Sequence, residues 1–503
     1  MATYDTDVLI VGAGPGGLQL ADQLRRLSVD YLVVDGADAA GSFFRRYPRH
    51  RQLISVNKPQ VDERVDNPLR FDWNSLVSDD SELRFTRYTP DYFPDADVIV
   101  DYLGDFAQRR QLAVRYGCPV LAVEESGDGY TVTVDGGPPV TARRVVAATG
   151  MSPYLAPIPG IEQAERYEDF RLDPARFRGA RVLIIGKGNA GFETAAALIP
   201  VANAIHLVSP HPVRMAWNTH YVGHLRAVNN NVIDTYQLKS GNALLDAEVT
   251  GIRRDGTGYH VDLAYTHAAG HSVTYRYDRV IAATGFRFDA PALAKLDVPT
   301  CHQGRFPAMT SDYRCPSHPG LYYAGTLTHA RDYRRTMSGF IHGFRYNAVF
   351  LAKVLAEGRP RPAAVLPPDP AILAGFTLRR LNDSDAMYLQ PGYLADAFVV
   401  DGSVAYHPGT PLDWLRDGGG GAGWWLAVTL EYGPPAPDPL LVDRSPDPGY
   451  AEVTPFLHPV VRLFRGEEQV DRLDLLEDLE NRYTDTCLPP LLSFFRAALA
   501  RAR

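Results

Sequence analysis

The sequence predicts an α/β protein with two nested parallel-sheet domains and a smaller C-terminal α+β domain. Two glycine-rich turns support this prediction, because each follows a short apolar run and precedes a helical pattern. The third observation is a pair of similar segments, residues 145–150 (VVAATG) and residues 280–286 (VIAATGF). This repeat indicates two units built on one plan, with the second unit inserted in the first.

The first unit is organised around the turn GAGPGG at residues 12–17, which lies between a buried strand pattern and a helix pattern. Gly12 makes the tight turn, Gly14 lets the backbone approach a pyrophosphate, and Gly17 lets helix and strand pack closely. The free N–H groups at the helix start favour phosphate, and Asp35 at the next strand end can accept hydrogen bonds from ribose hydroxyls. The pattern is that of a Rossmann-like dinucleotide-binding unit.

The second unit repeats this arrangement over residues 181–197, with the turn GKGNAG at residues 186–191. Its next strand ends on Ser209 instead of an acid. An acid would repel a 2′-phosphate, whereas Ser209 with Arg214 nearby could accept one, so the sequence favours NADPH over NADH. A solvated surface charge is the alternative interpretation of Arg214.

Two dinucleotide sites in one chain indicate a flavin at the first and a nicotinamide donor at the second, because side chains cannot carry out that redox step themselves. We expect residues 1–150 and 286–358 to build the FAD domain and residues 151–285 to build the NAD(P)H domain, two Rossmann-like domains with one inserted in the other. A Pro-rich linker at 359–370 and an accessory domain at 371–503 follow.

Composition limits the partners and the location that we expect. A net charge of −8 over 503 residues argues against nucleic acid as the main partner. No apolar run is long enough to cross a bilayer, and the first predicted strand begins within ten residues of Met1, so we expect a cytoplasmic protein without a membrane partner. Four cysteines without C-x-x-C spacing indicate a reducing compartment. No metal site is predicted, and a homodimer is left open.

This layout resembles the flavoproteins with two dinucleotide-binding domains, which include glutathione and thioredoxin reductases and the flavin-containing monooxygenases. In the disulfide reductases a cysteine pair beside the flavin receives the electrons. Cys301 and Cys315 are the only two cysteines in modest proximity here, without the usual spacing. The resemblance then implies dioxygen as the acceptor, through a flavin C4a-(hydro)peroxide in a dry pocket. We therefore predict an FAD- and NADPH-dependent monooxygenase that acts on a small molecule.

Two segments resemble the flavin-containing monooxygenases in detail. The stretch after Asp35 is similar to that family's acid-to-Gly-Gly-x-Trp segment, with Gly41 kept and Phe44 in place of the Trp. Residues 53–58 (LISVNK) are similar to the family segment whose asparagine hydrogen-bonds near the flavin C4a. This resemblance implies Asn57 as a catalytic residue; a turn-capping asparagine is the alternative.

Two further segments concern the reaction class. Residues 278–286 resemble the Asp-x(3–4)-(Leu/Ala)-Thr-Gly-(Tyr/Phe) signature of amine N-hydroxylases, which implies N-hydroxylation of an amine. Residues 161–171 depart from the F-x-G-x-x-x-H fingerprint of the main monooxygenase branches, with Tyr167 in the place of the histidine. That departure sets the chain apart from those branches.

A similarity over nearly the whole chain is with the animal endoplasmic-reticulum flavoproteins associated with degradation. The segments that carry it are residues 42–51, 219–223, 234–239, 339–346 and 456–459. That family is lumenal, with a signal peptide and a retention tail, and we expect this chain to have neither, so location and partners do not carry over. The Ala-, Arg-, Pro- and Gly-rich composition indicates a GC-rich bacterial genome, and enzymes of this kind often serve specialised metabolism there.

The residues expected at the two cofactor sites lie in the turns, at the strand ends and in the family-like segments. Those for FAD are Gly12, Gly14, Pro15, Gly16, Gly17, Asp35, Gly41, Ser42, Phe43, Phe44, Val120, Thr149, Gly150, Gly325 and Thr326. Those for NADPH are Gly186, Gly188, Asn189, Ala190, Gly191, Ser209, Arg214, Thr284 and Gly285. The substrate candidates are His220, Tyr221, His342, Asp332, Arg334 and Arg335. For each histidine a packed or surface position is the alternative.

Other functions are left open by the sequence. One is an NAD(P)H:acceptor oxidoreductase that inserts no oxygen, including a thiol/disulfide reductase. Another is a non-catalytic FAD-binding protein that works through its C-terminal domain. In that domain a helix is expected near residues 473–482.

Overall fold

The structure is a computed structural model and describes residues 4–59, 68–170, 172–238, 241–436, 438 and 441–502. Arg171, Lys239 and Arg503, which end three of the sequence segments discussed above, lie outside the described residues. Three larger sheets contain most of the described strands: two of them include parallel strands, and the third is antiparallel.

The first sheet has seven strands and carries the first glycine turn. Its strands are Thr6–Val11, Tyr31–Val34, Val114–Arg115, Val120–Ser126, Gly129–Val134, Val140–Ala147 and Leu321–Tyr323. Thr6–Val11 lies between Tyr31–Val34 and Val140–Ala147 and is parallel to both, so three strands end at one edge of the sheet. Leu321–Tyr323 is parallel to Val140–Ala147, which returns the chain to the first sheet after the second unit.

Helices cover the parallel part of this sheet and explain the unbroken apolar run in its first strand. Val8, Leu9 and Ile10 are fully buried, as expected for a strand that is covered on both faces. The helix Pro15–Arg26 begins inside the glycine-rich segment 12–17 with proline at its first position, where no backbone N–H is needed. The long helix Ile341–Glu357 packs beside it, and both contribute to one core with the sheet.

The second sheet also has seven strands and carries the second glycine turn. Its strands are Glu165–Arg166, Arg181–Ile185, Ala204–Ser209, Ala243–Asp255, Gly258–Tyr265, Ser272–Tyr277 and Arg279–Ala282. Arg181–Ile185 is parallel to both Ala204–Ser209 and Arg279–Ala282, and the helix Asn189–Leu198 follows the turn. The strand–turn–helix–strand order predicted for the second unit is therefore present.

The chain crosses between the two parallel-sheet units twice, and the two crossings lie side by side. Ser152–Pro153 pairs antiparallel with Phe286–Arg287 in a short ladder. The backbone N–H of Tyr154 donates to the Gly285 carbonyl at 2.9 Å, and the Thr284 hydroxyl donates to the Tyr154 carbonyl. These bonds fix the two connecting segments to each other.

The C-terminal part folds around a six-stranded antiparallel sheet. Its strands are Ala364–Leu366, Leu394–Asp401, Ser403–Pro411, Trp424–Tyr432, Leu457–Arg465 and Glu468–Asp474. The helices Pro370–Asp383 and Leu488–Arg501 contribute to one core with this sheet. Trp425 is fully buried, stacks on Phe464 with ring centroids 4.0 Å apart, and donates its indole N–H to the Gly466 carbonyl.

The remaining helices connect or cap these layers. They are Ser42–Arg46, Ala96–Arg109, Ala216–Thr219, Asn231–Leu238, Asp385–Leu389 and Leu412–Trp414. Asp95 caps Ala96–Arg109 by accepting from the Asp97 backbone N–H. In the part of the chain that the structure describes, no helix combines the length and the apolar character that a membrane crossing requires.

One expectation for the C-terminal half is wrong. The helix predicted near residues 473–482 is absent, because Glu468–Asp474 pairs as a strand with Leu457–Arg465 and no helix follows before residue 485. Pairing with another strand overrides the local pattern there. Within the Pro-rich segment 359–370, Ala364–Leu366 pairs with Ser403–Pro411 as an edge strand, and the role of this segment as a linker stays a prediction.

Candidate active site

A single cavity of about 560 Å³ extends from the first glycine turn to the helix that follows the second turn. It is therefore shared by the two predicted cofactor sites. Of the predicted residues, those that line it are Gly12, Gly14, Pro15, Gly16, Asp35, Ser42, Phe43, Phe44, Thr149, Gly150, Gly325, Thr326, Asn189, Tyr221 and His342.

The first turn has the close contacts that its glycines require. Gly12 has a φ of +116°, and a Cβ there would lie 2.5 Å from the Ala148 carbonyl oxygen. A Cβ on Gly17 would lie 1.9 Å from the Gly12 carbonyl oxygen, so helix and strand touch at this position. A Cβ on Gly14 would meet no heavy atom of the described chain within 4 Å, because Gly14 faces the cavity. The turn leaves room for a pyrophosphate at Gly14.

Asp35 holds this turn and also lines the cavity. Its carboxylate accepts from the backbone N–H of Ala13 at 2.5 Å and from that of Ala37 at 2.7 Å. The carboxylate is thus fixed at the strand end where a ribose would lie. Together with the open side of Gly14, this geometry fits the adenosine and pyrophosphate portion of FAD.

Three of the predicted FAD residues support the turn or the sheet and do not line the cavity. Gly17 provides the helix–strand contact, and Gly41 has a φ of +71° beside Leu103. Val120 pairs with Val134 in the antiparallel part of the first sheet. The structure places these residues around the FAD site but not on its surface.

The second turn repeats the geometry of the first. Gly186 has a φ of +124°, and a Cβ there would lie 2.1 Å from the Ala283 carbonyl oxygen. A Cβ on Gly188 would meet no described heavy atom within 4 Å. Asn189 is the predicted NADPH residue that reaches the cavity, and its amide donates to the His224 carbonyl at 2.9 Å and accepts from the Arg226 backbone N–H at 3.0 Å.

Ser209 and Arg214 are the residues predicted to bind a 2′-phosphate. Ser209 ends the strand Ala204–Ser209, and Arg214 follows it in the chain. The Ser209 hydroxyl donates to the His211 carbonyl at 3.2 Å, and Arg214 is exposed. Ser209 lies in register with Asp246 on the next strand, and the Asp246 carboxylate pairs with the buried Lys187 amine. The acid that is missing at Ser209 is therefore present one strand away, which the sequence did not indicate.

The other predicted NADPH residues have structural contacts. Thr284 and Gly285 belong to the paired crossings described above. Gly191 lies against the Gly186 carbonyl, where a Cβ would be 2.3 Å from the oxygen, and Ala190 occupies the first turn of the helix Asn189–Leu198. These residues shape the second turn without lining the cavity.

Asn57 does not line the cavity, although the family resemblance implied a catalytic role for it. It is fully buried, and its amide donates to the Thr89 and Asp91 carbonyls at 3.0 Å each. Its side-chain oxygen has no hydrogen-bond partner in the described structure. These contacts fit the turn-stabilising alternative, and a catalytic role for Asn57 stays a prediction.

A different asparagine faces the cavity. Asn74 is 1% exposed and lines the cavity, and its oxygen accepts from the Ser55 hydroxyl at 2.5 Å. Its amide nitrogen is buried without a hydrogen-bond partner among the described residues. A buried donor without a partner is rare in a folded protein, which distinguishes Asn74 from most other residues of this wall. Nothing in the local sequence distinguished Asn74 from other asparagines.

Three buried side chains form a hydrogen-bonded series at the cavity wall. His329 Nδ1 lies 2.8 Å from an Asp332 carboxylate oxygen, and His329 Nε2 lies 2.8 Å from the Tyr221 hydroxyl. Tyr221 is 7%, His329 3% and Asp332 1% exposed, and Tyr221 and His329 line the cavity. Burial raises the pKa of the Tyr221 phenol. The sequence singled out Tyr221 and Asp332 but missed His329.

His342 is a neutral imidazole in the same cavity. Its ring stacks on Trp73, with centroids 4.3 Å apart, and burial holds its pKa well below the ordinary histidine value. His220, by contrast, lies off the cavity and stacks on Tyr432 of the C-terminal domain, with centroids 4.0 Å apart. This contact fits the packed alternative for His220, and a substrate role for it stays a prediction.

Arg334 and Arg335 do not line the cavity. Arg334 lies over the Tyr333 ring, 5.0 Å from its centroid, and Arg335 donates to the Arg331 carbonyl. Neither arginine therefore reaches the cavity surface that Tyr221 and His342 share.

Two cationic side chains and one acid with a raised pKa also line the cavity. Arg226 lies over the Trp73 ring, 5.3 Å from its centroid, and Arg305 has a buried Nε without a hydrogen-bond partner among the described residues. Burial raises the pKa of the Glu193 carboxyl to about 7, against a weaker opposing effect of the hydrogen bond from Asn229. Glu193 lies four residues after Asn189, so the helical repeat could have indicated it.

None of the four cysteines, all of which the structure describes, lines this cavity. Cys315 is buried beside Ser317, and the Cys301 thiol donates to the Pro307 carbonyl at 3.6 Å. Both sulfur atoms are occupied in local contacts of the first domain. A cysteine pair facing the two nucleotide sites is therefore not formed.

Known proteins share this architecture. Residues 9–325 match the family model described as pyridine nucleotide-disulphide oxidoreductase. The chain belongs to this family. FAD-dependent oxidoreductase domain-containing protein 2 of Mus musculus is 36% identical over 91% of this chain and 76% of its own length. This relative confirms the family resemblance that extends into the C-terminal domain.

One further protein sequence and one solved structure are also similar to this chain. Indole-3-pyruvate monooxygenase YUCCA1 of Oryza sativa subsp. japonica is 26% identical over 51% of this chain and 63% of that protein. The bacillithiol disulfide reductase of Staphylococcus aureus aligns with a TM-score of 0.57 and 18% identity, covering 71% of this chain and 100% of that chain. The fold with two dinucleotide-binding domains is confirmed, and the chain is an FAD-dependent oxidoreductase.

Proposed function

We propose that this chain is a monooxygenase that takes hydride from NADPH and hydroxylates the nitrogen of a small amine with dioxygen. Bound FAD supplies the redox chemistry that side chains lack. The observation that carries the proposal is one cavity that joins both glycine turns and has no cysteine in its described lining. The protein's own part is to bind the reactants, to orient them and to exclude water.

The absence of cysteine from the described lining limits which acceptor can take electrons from the reduced flavin. A thiol relay within the protein needs a reactive cysteine pair next to the flavin. Cys301 and Cys315 hold other contacts, so the acceptor must be a molecule that enters the cavity. The relationship to a monooxygenase of rice supports dioxygen as that acceptor.

The charges of the lining favour a neutral amine. Among the described lining residues the carboxyl groups are Asp35 and Glu193, and Arg226 and Arg305 are cations. The Asp35 carboxylate already accepts a hydrogen bond from the Ala13 backbone N–H of the turn, and the pKa of Glu193 is raised to about 7. An ammonium ion would therefore gain little electrostatic stabilisation in this cavity. A neutral amine keeps the nitrogen lone pair that accepts an oxygen atom, and neutral His342 can accept one of its N–H groups.

The preference for NADPH is part of this proposal. Lys187 neutralises Asp246, the acid nearest to Ser209, while Arg214 remains exposed at the same strand end. A 2′-phosphate would meet a net positive surface there. A ratio of kcat/KM for NADPH over NADH that falls about two- to fivefold in Arg214→Ala would support this assignment, and an unchanged ratio would contradict it.

The amide donor of the site is assigned to Asn74. Its free amide nitrogen is buried in the cavity wall, whereas the Asn57 amide already donates to two carbonyls. We expect Asn74→Ala to lower the fraction of NADPH that yields hydroxylated amine. Asn57→Ala tests the family-derived role, and a larger loss in that variant would restore Asn57 as the catalytic residue.

The test is an isotope experiment on the protein reconstituted with FAD. NADPH, ¹⁸O₂ and a panel of small primary amines are supplied, and the products are analysed by mass spectrometry for an ¹⁸O-labelled hydroxylamine. We expect at least one amine to accelerate NADPH consumption and to acquire the label. Release of peroxide alone across the panel, with faster turnover on small disulfides, would refute the monooxygenase and favour the reductase. Cys301→Ala and Cys315→Ala are the matched controls, since a thiol relay would fail in both.

A further inference from the structure

The hydrogen bonds that link Asp332, His329 and Tyr221 at the cavity wall have a defined donor and acceptor at each step. Asp332 is buried and also accepts from the Thr336 hydroxyl and from the Ser338 backbone N–H at 3.1 Å. A carboxylate held by such donors is acceptor-only, so we assign the proton of His329 to Nδ1. His329 Nε2 is then the acceptor, and the Tyr221 hydroxyl donates to it. The two lone pairs of the Tyr221 oxygen remain for a molecule in the cavity.

We propose that Tyr221, His329 and Asp332 form a proton relay that opens on the cavity, and that Gln390 of the C-terminal domain is its positioning residue. The chemical part of this inference rests on the proposed function, because it assigns the group that receives the substrate's proton. The geometric part does not depend on the substrate.

The proton step balances within these residues. The oxygen atom comes from dioxygen, whose O–O bond is cleaved with the two electrons of the NADPH hydride, and the second oxygen leaves as water. When the amine nitrogen shares its lone pair with the transferred oxygen atom, the nitrogen becomes positively charged and must lose one N–H proton. That proton passes to the Tyr221 oxygen as the Tyr221 hydroxyl proton passes to His329 Nε2. Asp332 stabilises the imidazolium until its proton is given up to the departing water, and the product leaves as a neutral hydroxylamine. General base catalysis of this kind contributes about 10²- to 10⁴-fold to a rate.

Other titratable groups also face the relay and belong to its electrostatics. They are Tyr333, Arg305, Arg334 and His224. Burial has the largest effect on the Tyr221 phenol and raises its pKa, while the charges of Arg305 and Arg334 lower that pKa. The position of Asp332 matters because its carboxylate lies 2.8 Å from His329 Nδ1 and faces the other end of the imidazole.

The C-terminal domain reaches the Asp332 end of the relay through Gln390. Gln390 is fully buried; its oxygen accepts from the Met337 backbone N–H at 2.8 Å, and its amide donates to the Ser338 hydroxyl at 2.8 Å. Ser338 in turn donates its backbone N–H to Asp332. A residue of the accessory domain therefore fixes the loop that holds the relay carboxylate. This gives the domain a role in the active site.

The first test uses Tyr221→Phe, with Tyr236→Phe as the matched control because Tyr236 is 46% exposed and lies off the cavity. We expect Tyr221→Phe to lower amine hydroxylation about 100-fold or more and to flatten its pH profile. Tyr236→Phe should match the wild type in both. Equal hydroxylation and an equal pH profile in Tyr221→Phe would overturn the relay.

The second test needs no substrate and separates the relay from the proposed function. ¹⁵N NMR of histidine-labelled protein reports which ring nitrogen of His329 carries the proton, with the signal assigned by His329→Gln. We expect Nδ1–H in the wild type and a shifted Nε2 signal in Tyr221→Phe. An Nε2–H tautomer would overturn the relay even if amines are hydroxylated, and Nδ1–H without any hydroxylated amine would refute the proposed function alone.

The third test addresses Gln390. Gln390→Leu removes both hydrogen bonds to residues 337–338, whereas Gln390→Glu keeps an acceptor for the Met337 N–H. We expect kcat for hydroxylation to fall about tenfold in Gln390→Leu, with KM for NADPH unchanged, the His329 NMR signal shifted, and partial recovery in Gln390→Glu. A purely structural role would lower thermal stability and leave the NMR signal and the pH profile unchanged, and that result would overturn the positioning role.

Discussion

Replacing Gly14 by alanine adds one methyl group at a position where it meets no heavy atom of the described chain within 4 Å. Gly14 has a φ of −78° and a ψ of 180°, a conformation that alanine adopts freely. The apoprotein should therefore lose no stability. A gain of about 0.4–1 kcal/mol in the free energy of unfolding is expected, because alanine restricts the unfolded chain more than glycine does.

FAD binding should respond in the opposite direction. The new methyl group enters the space through which the backbone approaches a pyrophosphate. Loss of one hydrogen bond to a charged phosphate oxygen costs about 1.5–3 kcal/mol. That cost corresponds to an increase of about 10- to 150-fold in the Kd for FAD. A variant with equal or better apoprotein stability and much weaker FAD binding is the expected outcome.

The assay compares urea unfolding of the apoprotein with FAD titration followed by flavin fluorescence. Gly188→Ala is the matched variant, since its Cβ also meets no described heavy atom within 4 Å and it lies in the second turn. Gly188→Ala should weaken the binding of NADPH and leave the Kd for FAD unchanged. The reasoning is refuted if Gly14→Ala destabilises the apoprotein by more than about 1 kcal/mol. Equal losses of FAD affinity in both variants would refute the assignment of the two turns.

Three further outcomes are expected from stability measurements. The folded pKa of Glu193 is about 7, above its ordinary value of 4.5, so the stabilising effect of this group is lost as pH rises through that range. In urea unfolding, the free energy of unfolding of Glu193→Gln should therefore exceed that of the wild type by up to about 3 kcal/mol at pH 8, with no such excess at pH 4. Burial raises the pKa of Asp474, but hydrogen bonds from His458 and Arg472 outweigh this effect and bring the pKa to about 2. Asp474→Asn should therefore lower the free energy of unfolding by about 2 kcal/mol at pH 7, and this loss should vanish as pH falls through about 4 to 2. Trp425→Ala should cost about 3–5 kcal/mol, because it empties the contact with Phe464, and a loss below about 1 kcal/mol would show that this core is loosely packed.

The parts of the fold that the sequence predicts well are set by short stretches of chain. The turn at residues 12–17 contains its own reason for each glycine, since Gly12 needs a positive φ and Gly17 touches the preceding strand. The same holds for the second turn. The error near residues 473–482 arose because the strand Glu468–Asp474 depends on its pairing with Leu457–Arg465, which local periodicity does not register.

The site is less predictable because its side chains come from distant segments. Tyr221 and His329 meet across 108 positions of sequence, and no local spacing links them. Asn57 lies in a segment that resembles a known motif, yet its amide is directed to residues 89 and 91 and not to the cavity. Glu193 is the exception, because the helical repeat after the second turn places it on the same face as Asn189.

The paired crossings between the two nucleotide units have a consequence for motion. A domain tethered by two separated segments is held at two points and resists rotation, whereas two tethers bonded side by side act as one hinge. Ser152–Pro153 and Phe286–Arg287 form such a joint, and the Arg287 guanidinium lies 3.4 Å above the Tyr154 ring centroid within it. The joint therefore sets the axis of any rotation of the inserted domain, and such a rotation would also change the distance between Tyr221 and His329, which belong to different units. Opening and closing of the shared cavity would then change the distance between the two glycine turns while the contacts inside each unit stay intact.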